Sequence, residues 1–309
     1  MPYGRSSGER PTSRVTVTTG GSLRGSESWA AATWPATSAI TTPYPNRGRT
    51  LTNPDDDDAN LRRGTRCSNR TASASDRFAA VTGPSKTPVA LSWSGGKDSA
   101  LALAALRAEP SLDVVALLTS VTLGYDRISI HGVRRSLLRA QARAAGISLH
   151  EIVLQPNSSN DLYDQAVAYA LDTLRQAHPS LETVAYGDLF LEDVRRYREE
   201  RLGPLGFVAS FPLWGRPTRE LAEEFIDRGF EARLVCVDTT QLDGSFAGRA
   251  FDRRLIADLP SSVDPCGERG EFHTFVSDGP IFDAPIAYAT GDVVLRDDRF
   301  AYCDLVPLG

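Results

Sequence analysis

The sequence predicts an α/β fold: a parallel sheet with helices on both faces, followed by a smaller α+β region. Three observations predict it. From Lys86 onward, short apolar runs alternate with segments of helical period. The first apolar run breaks into Ser94-Gly95-Gly96-Lys97-Asp98-Ser99 and then resumes at once, as a tight strand-to-helix turn requires. After Phe211 the alternation stops, and one long helical pattern gives way to short strand-like runs.

In chain order, Val89–Trp93 reads as a buried strand. Ala100, Leu101, Leu103, Ala104 and Leu106 then give Ala100–Ala108 a broad apolar helical face. Val114–Thr119, Glu151–Leu154, Thr183–Tyr186 and Phe207–Phe211 are the next strands. Helices are expected at Val133–Ala145, closed by Gly146, and at Asp161–Gln176 and Leu191–Arg201. Beyond Phe211, Thr218–Phe225 reads as a helix started by Pro217 and stopped by Gly229. Short strands follow at Phe272–Val276, Ile281–Ala289, Val293–Leu295 and Phe300–Leu305. The expected organisation from these patterns is a tail at 1–85, an α/β region at 86–210 and a smaller α+β region at 211–309.

The tail is rich in Ser, Thr, Gly, Pro and Arg, carries the acidic run Asp55–Asp58, and has no sustained apolar period. It therefore reads as a disordered, low-complexity segment, with the acidic run a solvated loop. Its arginines and few acids fit an organelle transit peptide, but no amphipathic helix is visible. A dispensable extension or a start codon assigned too far upstream are the other readings. A formal charge of −5 argues against bulk attraction to nucleic acid or anionic membrane, and no apolar stretch approaches a bilayer span. The cysteines, Cys67, Cys236, Cys266 and Cys303, are scattered without a CxxC. That favours free thiols in a reducing, cytoplasmic setting and disfavours a compact zinc site.

In open α/β sheets, ligands bind outside the carboxyl ends of the strands. The Ser94–Ser99 turn leaves such an end. A glycine-rich turn feeding a helix presents backbone N–H groups and the positive end of the helix dipole, an anion site that a phosphate can approach closely. Lys97 adds a full charge, and Ser94 and Ser99 add hydroxyls. The chain has 34 basic residues and only two are lysine, Lys86 and Lys97, so a compact ammonium here stands out against arginine used everywhere else. The turn is a candidate phosphate loop, and it is not the GxxxxGK[ST] loop.

The SGGKDS hexapeptide resembles the PP-loop of ATP pyrophosphatases, the adenine nucleotide alpha hydrolase superfamily. That resemblance implies a Rossmann-like, five-stranded parallel sheet and cleavage of ATP between its α and β phosphates. The segments VAYGDLFLEDVRRYREERL (Val184–Leu202), FPLWGRPTREL (Phe211–Leu221), GFEARLVCVD (Gly229–Asp238), DPCGERGEFHTFVSDGPIF (Asp264–Phe282) and HGVRRSLLRAQARAAGISL (His131–Leu149) narrow it. Together they are similar to the diphthine–ammonia ligase family, in particular its bacterial-type relatives. The family implies a carboxylate adenylylated by ATP, ammonia displacing AMP, and an active site in the cleft between a nucleotide-binding domain at 86–210 and a C-terminal acceptor-binding domain at 211–309. Diphthamide enzymes carry a Ser-Asp-Tyr-type stretch after the glycine that ends the fourth strand. Here Gly187-Asp188 leads instead to Leu191-Glu192-Asp193, which leaves the acceptor open.

The expected site follows. Ser94, Gly95, Gly96, Lys97, Asp98, Ser99, Gly187 and Asp188 bind ATP, with Gly187 permitting close approach. Magnesium needs few carboxylates beside phosphate; Asp188 and Asp193 are the expected ligands, with Asp98 a further candidate or a helix cap. Arg196 and Arg216 are candidate anion clamps, and Trp214 is either a pocket wall or a core residue. Glu268, Gly270, Glu271, His273 and Thr274 cluster in the C-terminal polar stretch, where the family resemblance places the acceptor. Alternation puts Glu271, His273 and Phe275 on one strand face, so a carboxylate beside an imidazole can take a proton from an amine. Lys97, Asp98, Glu271 and His273 are the expected catalytic set. The partners are ATP, a small-molecule or protein-borne carboxylate and ammonia; neither nucleic acid nor membrane is expected, and a homodimer is left open. A tRNA-modifying or sulfur-transferring enzyme, or a non-catalytic ATP-binding regulator, are the other functions.

Overall fold

The computed structural model describes residues 86–124, 127–128, 132–155 and 158–308. The predicted tail, with its acidic run and Cys67, and His131 lie outside the described residues. The elements are β1 (Thr87–Ser92), α1 (Lys97–Ala108), β2 (Leu112–Thr122), β3 (Arg127–Ile128), α2 (Arg135–Ala144), β4 (Ser148–Leu154), α3 (Asn160–Ala177), β5 (Thr183–Ala185), α4 (Glu192–Leu202) and β6 (Val208–Ser210). Then come α5 (Thr218–Asp227), β7 (Glu231–Asp238), α6 (Arg253–Asp258), β8 (Phe272–Asp278), β9 (Tyr288–Arg296) and β10 (Phe300–Pro307).

β4, β2, β1, β5 and β6 lie side by side and all parallel. The two-residue β3 adds a sixth, antiparallel strand at the end of β2. From β1 the chain winds outward through β2 to β4, then crosses back to β5 and β6, so the winding reverses at β1 and β5. The loops leaving those two strands are therefore the ones that face each other.

Period-two alternation explains the layers. Val89 and Leu91 of β1, with Trp93 just past its end, face α1 and α2, whereas Ala90 faces α3 and α4 with Leu171, Leu174 and Leu202. The first of these cores continues without a break into the C-terminal half, through Phe225, Phe230, Leu234, Phe251, Phe272 and Phe275. α1 is thus covered on both sides, with β1 on one and β8 on the other. This is why Ala100 to Ala104 are all buried in a helix with no polar face along that stretch.

The C-terminal half builds a four-stranded antiparallel sheet in the order β8-β7-β10-β9. Two differences from expectation are local. β7 forms in the GFEARLVCVD segment, which the sequence did not mark as a strand. The expected strand Ile281–Ala289 begins only at Tyr288. Pro280 and Pro285 lack the N–H a ladder needs, so Ile281 and Ile286 are buried as loop residues instead. Among the described residues no helix is long and apolar enough to cross a membrane.

Candidate active site

Three loops meet at the amino end of α1: Ser94–Ser99 after β1, Gly187–Leu189 after β5, and Asp264–Glu271 before β8. Two glycines in them answer to protein neighbours. Gly95 has a φ of +76°, and a Cβ there would lie 2.5 Å from Gln141 Oε1. Gly187 sits on the backbone of α1, where a Cβ would come within 2.8 Å of the Asp98 carbonyl carbon. The close approach expected at Gly187 is therefore made to α1 itself.

The hydroxyls of the first loop turn inward. Ser94 Oγ accepts from the Gly96 N–H at 3.3 Å, and Ser99 Oγ donates to the Gly96 carbonyl at 2.9 Å. The N-cap of α1 is Gly96, with Asp98 in the first turn, so capping is not the task of the Asp98 side chain. The Lys97 N–H donates to Thr274 Oγ1 at 3.0 Å, which ties the helix start to β8.

Lys97 is 3% exposed. Its ammonium donates to Asp98 Oδ2 at 2.8 Å and to the Cys266 carbonyl, and it lies 5.8 Å and 5.5 Å from the ring centres of Phe251 and Phe272. Burial by itself favours the neutral amine, but Asp98, Cys266 and Glu268 together outweigh it, and the lysine pKa stands above its ordinary value. Asp98 is pushed up by burial in spite of Lys97, with Asp264 and Asp188 adding to the rise. Its second oxygen, Oδ1, is buried and accepts no hydrogen bond from the described residues.

Asp188 is engaged by Arg198, whose Nε donates at 2.7 Å and Nη2 at 3.4 Å, while the guanidinium lies 4.1 Å from the Tyr186 ring centre. Arg198, and not the exposed Arg196, is the arginine of α4 that reaches the site. Asp193 lies exposed in the first turn of α4. Among the described residues, no three His, Cys, Asp or Glu side chains group to hold a metal ion.

The third loop is a cage of carboxylates on backbone amides. Glu271 is 1% exposed; its Oε1 accepts from Asp264 N–H and its Oε2 from Arg269 N–H, both at 2.9 Å. Asp264 in turn accepts from Cys266 N–H at 2.8 Å and from the Thr218 hydroxyl at 2.7 Å. β8 begins at Phe272, so of the two residues expected on one strand face only His273 lies in the strand. Glu271 precedes β8 and turns back into its own loop, and alternation places His273 on the face opposite Thr274. Glu268 accepts the Leu189 N–H at 2.8 Å, joining the second loop to the third. Burial first, and then Asp98 and Asp188, push its carboxyl up to about 7.

The remaining expected residues lie farther out. Arg216 is bound to Glu224 at 2.5 Å. Trp214 is half-exposed and makes an edge contact to Phe211, with Arg195 4.9 Å from its ring. Arg195, Phe211 and Trp214 line a concavity of about 490 Å³ along β6 that does not include the Ser94–Ser99 loop. Cys236, Cys266 and Cys303 are free and buried. Burial pushes all three thiols up, against the reactivity a sulfur-transfer thiol needs.

Sequence reasoning missed Gln141 and Arg198. Gln141 did carry a signal: it shares the buried stripe of α2 with Leu137, Leu138 and Ala142, and a polar residue on an apolar stripe is the informative exception. Arg198 had none, being one of several arginines on α4.

Comparison with known proteins bears on the family of the chain. Residues 87–203 match a family model described as the diphthamide synthase N-terminal domain, and residues 217–298 match the diphthamide synthase C-terminal domain. A diphthine–ammonia ligase of Schizosaccharomyces pombe is 25% identical over 222 residues, covering 65% of this chain but only 36% of that protein. The Rattus norvegicus protein of the same name is 28% identical over 241 residues, 69% of this chain and 87% of its own length. The Homo sapiens one is 28% identical over 192 residues, 58% and 69% respectively. With both domains matched in order, one on the parallel sheet and one on the antiparallel sheet joined to it through Lys97, the chain belongs to the diphthamide synthase family.

Proposed function

We propose that this protein is an ATP-dependent carbon–nitrogen ligase that splits ATP into AMP and pyrophosphate. The carrying observation is the Ser94–Ser99 loop. It opens α1 at the reversal of a parallel sheet, against the loop that follows β5. The helix dipole and the loop amides favour a polyphosphate there. ATP transfers AMP to a carboxylate of the acceptor; ammonia then attacks the acyl carbon, the bond to AMP breaks, and the amide forms. Magnesium fits this site through oxygen donors, and Asp98, whose Oδ1 has no partner among the described residues, is the residue that would hold it; the ion would neutralise charge on the phosphates.

Glu268 is the proton acceptor for the attacking ammonia, since a carboxyl near 7 exchanges its proton at neutral pH. Glu271 serves by holding the loop that presents Glu268. The relatives' name makes diphthine the first acceptor to test. The departure after Asp188 widens the proposal to a carboxylate borne by a small molecule or a protein.

The test incubates the protein with Mg-ATP, ammonium and an extract of its source, followed by phosphorus NMR. Extract-dependent AMP and pyrophosphate are expected; ADP and phosphate overturn adenylylation.

A further inference from the structure

We infer that Gln141 of α2 is a positioning residue that sets the shape of the Ser94–Ser99 loop for its nucleotide. The inference rests on the proposal that ATP binds this loop. Gln141 is fully buried, and its amide has three partners from three parts of the chain. Oε1 accepts from Trp93 Nε1 at 3.0 Å, at the end of β1. Nε2 donates to the Gly95 carbonyl at 3.0 Å, in the loop, and to the Val276 carbonyl at 2.6 Å, in β8. The Val276 N–H also donates to the Gly95 carbonyl, at 2.9 Å.

Only a side-chain amide meets this demand. An indole N–H needs an acceptor and two carbonyls need donors, all at one planar group; a carboxylate has no donors, and an aliphatic chain has neither. The consequence reaches the loop through the planarity of the peptide bond. The Gly95 carbonyl and the Gly96 N–H belong to one trans peptide unit and point opposite ways. Holding the carbonyl toward α2 and β8 therefore aims the Gly96 N–H to the other side, where Ser94 Oγ accepts it at only 3.3 Å. The same side chain excludes a Cβ at position 95.

Two variants of the full chain test this. Gln141→Glu keeps the acceptor for Trp93. While neutral it keeps one donor; once ionised it keeps none and sets charge against two carbonyls. Burial raises its pKa above the ordinary value of about 4.3, so the ionised fraction grows as pH rises. Mg-ATP affinity is measured by calorimetry from about pH 5.5 to about pH 8.5, with thermal melts in the same buffers. Q141E is expected to lose affinity roughly tenfold or more across that range relative to wild type. Gln141→Met, uncharged and without donors, is expected to bind about tenfold more weakly at every pH, with no slope of its own. If wild type binds ATP and folded Q141E or Q141M binds it equally well throughout, this inference is overturned alone. If wild type does not bind ATP, the nucleotide proposal falls and this inference falls with it.

Discussion

Ser94–Ser99 and Asp264–Glu271 are both short, polar and broken by glycines, and they meet at Lys97, yet they are held in opposite ways. The first is held mainly from outside: by the Gln141 amide, by Thr274 and Val276 of β8, and by Gly187 pressed on the start of α1. The second is held from inside, by its own carboxylates on its own amides and by the Gly267 N–H on the Asp264 carbonyl. A loop held from outside takes its shape from the whole fold, so its amides respond to the docking of the second sheet. A loop held from inside carries its shape with it and presents fixed groups, here the Cys266 carbonyl and Glu268.

The junction gives the largest expected effect. Lys97→Ala leaves a buried carboxylate and the Cys266 carbonyl without their cation, and should cost about 3 kcal/mol or more in addition to ATP turnover. Unchanged stability in urea titration would show that the two loops are not joined there. Next is Gly187→Ala, which forces a methyl onto backbone that has no flexible end to yield; a loss of about 2–3 kcal/mol with weakened ATP binding is expected. A melting point equal to wild type would mean that the first loop is not braced from this side.

Glu271→Gln tests the second loop. It replaces one accepting oxygen with an amide NH2, a donor facing a backbone N–H, and about 1–2 kcal/mol should be lost. ATP binding measured on the folded variant should change little, because the first loop keeps its own supports. An affinity loss as large as that of Gly187→Ala would erase the distinction between the loops.

The smallest effect is one of pH. The folded-state pKa of Glu268 is raised from 4.5 to about 7. The stability that follows from its neutral form is complete below about 4.5 and is lost as pH rises through about 7. Glu268→Gln, which still accepts from Leu189, removes this dependence. Its stability relative to wild type should therefore rise with pH across that window, and a flat difference between the two titrations would refute the shift.

Much of this was legible in the chain. The five parallel strands, their helices and the position of the SGGKDS turn follow from apolar periods and from glycines at strand ends, which are local properties. Other readings failed where local pattern met a distant partner. Apolar content suggested a strand at Ile281–Ala289, but the prolines there block a ladder. Alternation extended β8 back to Glu271, but the backbone amides of the preceding loop claimed that carboxylate.

By itself the sequence determined the α/β order, the carboxyl-end placement of SGGKDS and the resemblance to its family, because each is written in neighbouring residues. Only the tertiary structure decided that Lys97 is spent on a carbonyl 169 residues away, that Arg198 and not Arg196 reaches Asp188, and that Gln141 holds the loop to β8. The physical reason is that a buried charge or amide must find partners, and which ones it finds depends on how the two sheets close over α1, a geometry that no local period encodes.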